Sequence, residues 1–205
     1  MQVVEISDIN DDLLLPWLDL YETAFPPNER VLVSFLLKVL KDKALGRAQE
    51  HHLLAALDTD KTLVGMALVE LFPSSHMALL WLFAVTPNER NRGWGARFYQ
   101  AILQRMRWVQ RRHTRAMLLE VEMPEQAPTD QARQLAQRRI GFYRRQGALL
   151  LQGIHYLQHV GPHQPPLPMH IMVHPFEPLD PHTAFGLAQT VFAEAITQVG
   201  ALAWA

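Results

Sequence analysis

Residues 77–85 read MALLWLFAV, an apolar run with no polar interruption. A strand that is apolar on both faces must be covered on both sides, so this run predicts a central strand of a sheet. Beyond Pro87 the pattern becomes helical, because Phe98, Ile102 and Met106 recur on one face from Gly93 onward. A buried strand followed directly by an amphipathic helix predicts an α/β fold.

The remaining elements follow from the same two periodicities. Apolar runs predict strands over residues 2–6, 52–57, 63–72, 116–122, 148–157 and 169–174. Apolar residues at helical spacing predict helices over residues 13–21, 29–43, 93–112, 131–146 and 180–199. Asp130 is the predicted cap of the fourth helix, and Gly147 follows its end. The fold class is therefore α/β in the α+β sense, with an extra helix at the C-terminus.

Composition excludes several classes of protein. The 205 residues contain no cysteine, which excludes disulfides, thiolate catalysis and cysteine-bound zinc. A formal net charge of -1 gives no reason to expect binding to nucleic acid or to an anionic membrane. The N-terminus is too polar for a signal peptide and no apolar run reaches the length of a membrane span, so we expect a soluble, cytoplasmic protein.

The turn between the apolar strand and the next helix has the spacing Arg90-x-x-Gly93-x-Gly95. Glycines at a helix N-terminus allow successive N–H groups to approach an anion, and arginine adds charge-assisted hydrogen bonds. The spacing is neither the GxGxxG dinucleotide fingerprint nor a Walker A loop. On spacing alone, a solvated basic turn with a glycine cap is an equal alternative.

This strand, turn and helix resemble the acyl-CoA loop of the GNAT superfamily of N-acetyltransferases. A later stretch, IGFYRRQGA at residues 140–148, resembles that family's late motif of a helix carrying Phe-Tyr, then a glycine, then a strand. The resemblance covers residues 1–175 and implies a mixed, mostly antiparallel central sheet with flanking helices. Residues 176–205 lie outside it, and we expect them to form a helical extension packed on the domain or on a partner subunit.

The resemblance also implies the co-substrate, acetyl-CoA, and the residues that hold it. The pyrophosphate would rest on the N–H groups of the turn, and the pantetheine arm would pair with the backbone of the preceding strand. The residues carried over are Phe83, Ala84, Val85, Arg90, Asn91, Arg92, Gly93, Trp94, Gly95 and Ala96.

The implied reaction is attack by an amine on the acetyl carbonyl, which requires a base. A lysine-like amine has a pKa of about 10.4, so forming its neutral state at neutral pH costs roughly 4 kcal/mol. Glu120 and Glu122 alternate along a predicted strand and should share one face, where each would raise the pKa of the other.

As the candidate base we place Glu122 ahead of Glu120, because Glu122 is nearer the end of the strand, and we place Glu70 third. The alternative is a pair of ordinary surface glutamates.

In the family, a tyrosine at the position of Tyr143 lies beside the leaving thiolate. An unperturbed phenol with a pKa of about 10 would protonate a thiolate with a pKa of about 8.5 only uphill. Tyr143 would therefore stabilise the thiolate by a hydrogen bond first. The alternative is a core tyrosine whose hydroxyl is satisfied elsewhere.

Other features leave some choices open. His155, His159 and His163 are spaced by four but run into Gly161-Pro162, so we predict no metal site. The acceptor is a small-molecule or peptide amine of unspecified identity, and the protein is a monomer or homodimer. The alternative function is a non-catalytic acyl-CoA sensor that retains the glycine turn without turnover.

Overall fold

The structure, a computed structural model, describes residues 1–27, 30–48, 50–109, 112–159 and 165–205. Over these ranges the helices are α1 (Leu14–Ala24), α2 (Val33–Ala44), α3 (Trp94–Arg107), α4 (Asp130–Arg145) and α5 (Pro181–Phe192). The strands are β1 (Gln2–Ile6), β2 (His51–Leu57), β3 (Leu63–Phe72), β4 (Met77–Val85), β5 (Trp108–Val109), β6 (Arg112–His113), β7 (Ala116–Glu122), β8 (Leu149–Gln158), β9 (Leu167–Pro175) and β10 (Ile196–Trp204).

The predicted mixed α/β fold is confirmed. Eight strands form a mostly antiparallel sheet, and β5 pairs with β6 in a separate short ribbon. Within the described ranges, no helix is both long and apolar enough to cross a membrane. The chain forms two compact units: residues 1–71 with 80–105, and residues 72–79 with 106–205.

In the first unit, β1, β2 and β3 are successive antiparallel neighbours. Helices α1 and α2 bury their apolar faces in a core that includes Trp17, Tyr21, Leu36, Leu40, Leu53 and Met66. The indole Nε1 of Trp17 donates a hydrogen bond of 3.0 Å to the carbonyl oxygen of Leu54. The largest core side chain is thus buried with its polar group satisfied.

An ionic cluster around Glu5 joins four elements of this unit. The Glu5 carboxylate lies 2.9 Å from Lys43 Nζ on α2 and 2.9 Å from His52 Nδ1 on β2, and it also contacts Arg105 on α3. Removal from water would raise the pKa of Glu5, but hydrogen bonds and charge from His52 and Lys43 outweigh that effect and lower the pKa to about 2. Glu5 is therefore ionised at physiological pH.

The second unit contains β7, β9, β8 and β10 as antiparallel neighbours in that order. The cap of α4 is Thr129, whose side chain accepts a 3.1 Å hydrogen bond from the N–H of Ala132. The prediction of Asp130 as the cap is wrong by one position. Asp130 is instead the first helical residue, where its negative charge is favourable at the helix N-terminus.

Two predicted helices differ at their ends. The second helix begins at Val33 in the described residues, and the predicted start at Glu29 lies outside them. The third helix ends at Arg107 rather than near Arg112, because Trp108–Val109 pairs with Arg112–His113. Aromatic and β-branched residues favour such pairing over continued helix.

The C-terminal prediction is wrong in its second half. Helix α5 begins after the cap Asp180 but ends at Phe192, and residues 196–204 form strand β10 instead of continuing the helix to Val199. β10 pairs with β8, with Ile196 opposite Tyr156. The β-branched residues Ile196, Thr197 and Val199 suit a strand, and β8 supplies the backbone partners that local propensity does not register.

Candidate functional site

The glycine turn of the first unit connects β4 to α3 through residues 86–93. Its backbone turns sharply, because Asn91 has φ +61° and Gly93 has φ +80°. The carbonyl oxygen of Gly93 accepts the N–H of Arg97 at 3.1 Å and so closes the first turn of α3. The N–H groups of the first helical residues point out of the N-terminus without partners inside the helix.

The three arginines of the turn differ in the partners that their guanidinium groups already have. Arg90 is exposed. Arg92 forms a 2.9 Å ion pair with Glu89, and its side chain is 65% exposed. The guanidinium of Arg97 stacks over the Trp94 ring at 4.3 Å from the centroid. An arriving anion would therefore find positive charge at an accessible surface.

This geometry suits the binding of an anion such as a diphosphate. A Cβ placed on Gly93 would meet no protein atom within 4 Å, so the space over the turn is open. A helix N-terminus with open backbone beside it is a suitable anion site, and the arginines add charge. The predicted turn residues 90–96 are thus brought together at one helix end.

The predicted strand residues Phe83, Ala84 and Val85 form the last part of β4. The Phe83 ring stacks on Phe98 of α3, with centroids 5.5 Å apart. Ala84 is buried, whereas Val85 is partly exposed. This packing fixes the end of β4 relative to the helix that begins after the turn.

In the second unit, Glu120 and Glu122 alternate on β7 as predicted, but their surroundings differ. Glu120 is partly buried and accepts a hydrogen bond from the Tyr156 hydroxyl on β8. Removal from water raises the pKa of Glu120, and hydrogen bonds from Tyr156 and Gln158 offset this only in part. The predicted cause, repulsion by Glu122, is therefore not what raises it.

Glu122 is paired with a cation. Its Oε1 contacts the guanidinium of Arg139 on α4. Its other carboxylate oxygen is buried and has no hydrogen-bond partner among the described residues. The guanidinium therefore compensates the charge of the Glu122 carboxylate.

Tyr143 is buried near the end of α4, with 9% of its surface exposed. Burial raises the pKa of its phenol to about 12, against a smaller lowering by the charge of Arg139. The phenol is thus protonated at neutral pH and can act only as a hydrogen-bond donor to an anion. Arg139 lies close enough to influence both Tyr143 and Glu122.

Sequence reasoning missed Tyr156, Gln158 and Arg139 as partners of the predicted carboxylates. Tyr156 is 36 positions from Glu120, so no local spacing links the two residues. Arg139 belongs to a basic pair on a helix, which resembles any solvated helix face. The only available signal for Tyr156 was its polar group within an apolar strand, since such groups need a partner when buried.

The histidines do not form a metal site in the part of the chain that the structure covers. No group of three or more His, Asp or Glu side chains suited to a metal ion occurs there. His163 lies outside the described residues. His170 is instead 3.0 Å from Glu125.

Comparison with known proteins gives a family and several similar folds. The sequence model of the acetyltransferase (GNAT) family matches residues 14–148, more than half of the chain. No curated protein matches the sequence.

Among solved structures, a protein from Bacteroides thetaiotaomicron assigned as a GNAT-family acetyltransferase superposes with a TM-score of 0.71 at 24% identity, covering 94% of this chain and 98% of that one. A spermidine/spermine N-acetyltransferase from Vibrio cholerae, in complex with manganese ions, has a TM-score of 0.56 at 14% identity, with 84% and 91% covered. A phosphinothricin acetyltransferase from Sinorhizobium meliloti, in complex with acetyl-CoA, has a TM-score of 0.54 at 16% identity, with 85% and 89% covered. At these identities the structures show a shared fold.

Proposed function

Because the chain belongs to the acetyltransferase (GNAT) family, we propose that it transfers the acetyl group of acetyl-CoA to a primary amine by direct attack on the thioester. The family assignment confirms the predicted N-acetyltransferase activity and acetyl-CoA as co-substrate. The observation that carries the finer proposal is the partly buried Glu120 carboxylate, whose pKa is raised and whose partners are uncharged. No feature of the described residues favours the alternative of a non-catalytic acyl-CoA sensor.

The glycine turn is the proposed diphosphate site. The N–H groups from Asn91 to Ala96 would bind the phosphate oxygens, with Arg90 beside them, and the backbone of residues 83–85 would guide the pantetheine arm. Support comes from the positive φ at Gly93, the open space above it and the start of α3 directly after it. When bound, acetyl-CoA supplies an activated acyl carbonyl and a thiolate leaving group.

Glu120 is the proposed general base, ahead of Glu122. A base must hold a proton from the amine for the time of the attack, so a raised pKa favours Glu120. Glu122 is ion-paired with Arg139, so its charge is already compensated and its Oε1 is occupied by the guanidinium. This order reverses the preference drawn from strand position alone.

Tyr143 is the proposed donor to the leaving thiolate. With a phenol pKa of about 12 and a thiol pKa of about 8.5, full proton transfer is uphill by ~5 kcal/mol. Tyr143 would therefore stabilise the thiolate by a hydrogen bond, and water would protonate it later. The burial of Tyr143 strengthens such a bond, because competing water is excluded.

The acceptor is proposed to be a small-molecule or peptide amine, and the protein to act in the cytoplasm as a monomer or homodimer. We further propose that residues 1–175 form the catalytic domain. The Glu120 carboxylate on β7 supports a substrate that is cationic in solution, because its partners are uncharged and its own charge would attract an ammonium group. The bacterial spermidine/spermine enzyme of similar fold acts on such an amine.

The test is a thiol-release assay with acetyl-CoA and a panel of amines, preceded by thermal-shift titration with acetyl-CoA and dephospho-CoA. We expect a saturable shift and thiol release with at least one amine. Glu120→Gln should lower turnover by 100-fold or more, on the order of a lost general base. The matched control Glu125→Gln removes an exposed carboxylate five positions away and should retain turnover. Absence of thiol release with every amine would overturn the proposal.

A further inference from the structure

We propose that Tyr156 is a positioning residue for the Glu120 carboxylate, and that the segment after residue 175 holds Tyr156 in place. The inference rests on the proposed role of Glu120 as the base. It gives a function to the C-terminal extension, which lies beyond the segment that matches the family.

Tyr156 and Gln158 lie two positions apart on β8 and so project to the same face of the sheet. The Tyr156 hydroxyl donates to Glu120 Oε1, and the Gln158 side chain also forms a hydrogen bond with Glu120. The β7 carboxylate is thus held from β8, although β9 lies between these two strands. Two neutral donors fix the carboxylate without neutralising its charge.

The C-terminal extension packs directly on Tyr156. The Phe192 ring at the end of α5 lies with its centroid 4.5 Å from that of Tyr156, at an interplanar angle of 47°. Ile196 of β10 is the backbone partner of Tyr156, and both side chains are buried. The extension therefore contacts the tyrosine ring through Phe192 and pairs with its backbone through Ile196, while the hydroxyl reaches Glu120.

The other titratable and charged groups on the elements around β7 are not among the groups that shift the pKa of Glu120. On β7, Glu122 forms an ion pair with Arg139 of α4. The other charged or titratable residues of α4 are Asp130, Arg133, Arg138, Tyr143, Arg144 and Arg145. On β9 they are His170, which contacts Glu125, and His174, whose pKa burial lowers to about 4. β8 adds His155, one position from Tyr156. Only Tyr156 and Gln158 contribute hydrogen bonds that shift the pKa of Glu120.

The chemistry of the pair sets the sign of the expected effect. Burial, followed by the charge of Glu120, raises the pKa of Tyr156, so its hydroxyl remains a donor throughout the working pH range. Its hydrogen bond favours the ionised form of Glu120. Removing the hydroxyl takes away one of the two hydrogen bonds that lower the pKa of Glu120. Burial still raises that pKa, so the pKa of Glu120 must rise further.

The test is the pH dependence of kcat/KM in Tyr156→Phe, which keeps the ring and its packing. We expect the acidic limb of the profile to move to higher pH by about one to two units, the shift equivalent to one hydrogen bond to a charged group. Turnover should fall most at pH values on the acidic limb and recover as the pH rises. KM for acetyl-CoA should stay within about twofold, because Tyr156 is not among the residues proposed to bind acetyl-CoA.

Tyr21→Phe is the matched control. It also removes a tyrosine hydroxyl, which donates to the carbonyl oxygen of Val31 at 2.9 Å in the first unit. It should reduce stability without moving the acidic limb. An unmoved limb in Tyr156→Phe, with turnover intact, would overturn the inference while leaving the acetyltransferase proposal in place.

A second measurement does not depend on turnover. Titration of carboxyl-labelled glutamate by NMR, with the Glu120 signal assigned by its loss in Glu120→Gln, reports the pKa of Glu120 directly. We expect that pKa to rise in Tyr156→Phe and, to a smaller extent, in Phe192→Leu, which loosens the ring contact. An unchanged Glu120 titration in both folded variants would overturn the inference, whether or not the proposed acceptor chemistry is correct.

Discussion

Gly93 combines a backbone angle that glycine tolerates with open space over its Cα. Because no protein atom lies within 4 Å of a Cβ built there, a substitution acts on the φ of +80° and on the open space over the turn rather than on the core. A variant at residue 93 therefore tests the proposed cofactor site without disturbing the core.

We predict that Gly93→Glu abolishes acetyl-CoA binding, since its carboxylate would repel the diphosphate and its Cβ would occupy the space over the turn. Isothermal titration calorimetry measures the affinity, and circular dichroism checks the fold. Gly46 has a similar φ of +75° and equally open surroundings, so Gly46→Glu is the control and should bind normally. Normal binding by folded Gly93→Glu would remove the turn from the cofactor site.

Glu5 shows how one carboxylate stabilises a whole unit. Its pKa falls from 4.5 to about 2 on folding, so it contributes stability above pH 4.5 and loses that contribution as the pH falls toward 2. We predict that Glu5→Gln lowers the free energy of unfolding at pH 7 by about 3 kcal/mol, with the difference from the unsubstituted protein shrinking below pH 4. Urea unfolding at several pH values measures it. Asp42→Asn, at an exposed i,i+4 pair with Lys38, should cost far less; equal losses would contradict the prediction.

At the scale of elements, the pairing of β8 with β10 depends on a close backbone approach. Gly153 has φ +82°, and a Cβ there would lie 2.3 Å from the carbonyl oxygen of Ala201. The register of the two strands shifts between Gln198 and Ala203, opposite this glycine. The bulge in β10 and the glycine in β8 therefore act together, because the missing Cβ makes room for the bulge and allows the two strands to remain paired on either side of it.

We predict that Gly153→Ala destabilises the protein by about 2 kcal/mol or more, because both the φ and the backbone contact resist a Cβ. Thermal and urea unfolding measure the change. The control Gly186→Ala sits within α5 with nothing near its added Cβ and should stabilise slightly, by about 0.5 kcal/mol. A neutral Gly153→Ala would show that β10 shifts freely along β8.

The elements that the sequence predicted correctly are those with a local signal. β4 is apolar throughout, and α4 has a periodic face between a polar loop and Gly147. The C-terminal strand was missed because residues 193–199 mix alanines with β-branched residues, and only pairing with a strand some 40 positions earlier decides the outcome. The site divides in the same way: Glu120 and Glu122 follow from strand alternation, whereas Tyr156 and Arg139 reach them only through the tertiary fold.

For the molecule as a whole, the C-terminal segment supplies the edge strand of the sheet. β10 covers the outer side of β8 at the end of the strand order, so its removal would expose unpaired backbone groups along β8. We predict that deleting residues 176–205 lowers the melting temperature by on the order of 10 °C and promotes aggregation. Differential scanning fluorimetry and light scattering measure both. Val199→Ser, at an exposed position of β10, should change neither; a monomeric, equally stable deletion variant would refute the prediction.

The contact between Tyr156 and Phe192 also bears on how such a protein can diversify. Glu120 lies inside the segment that the family shares, while the residues that hold it lie after that segment. If Glu120 is the base, replacing the residues after 148 as one segment would change the pKa of its carboxylate while leaving the glycine turn as it is. Chimeras joined after residue 148 would then shift the working pH range and keep the residues proposed to bind acetyl-CoA.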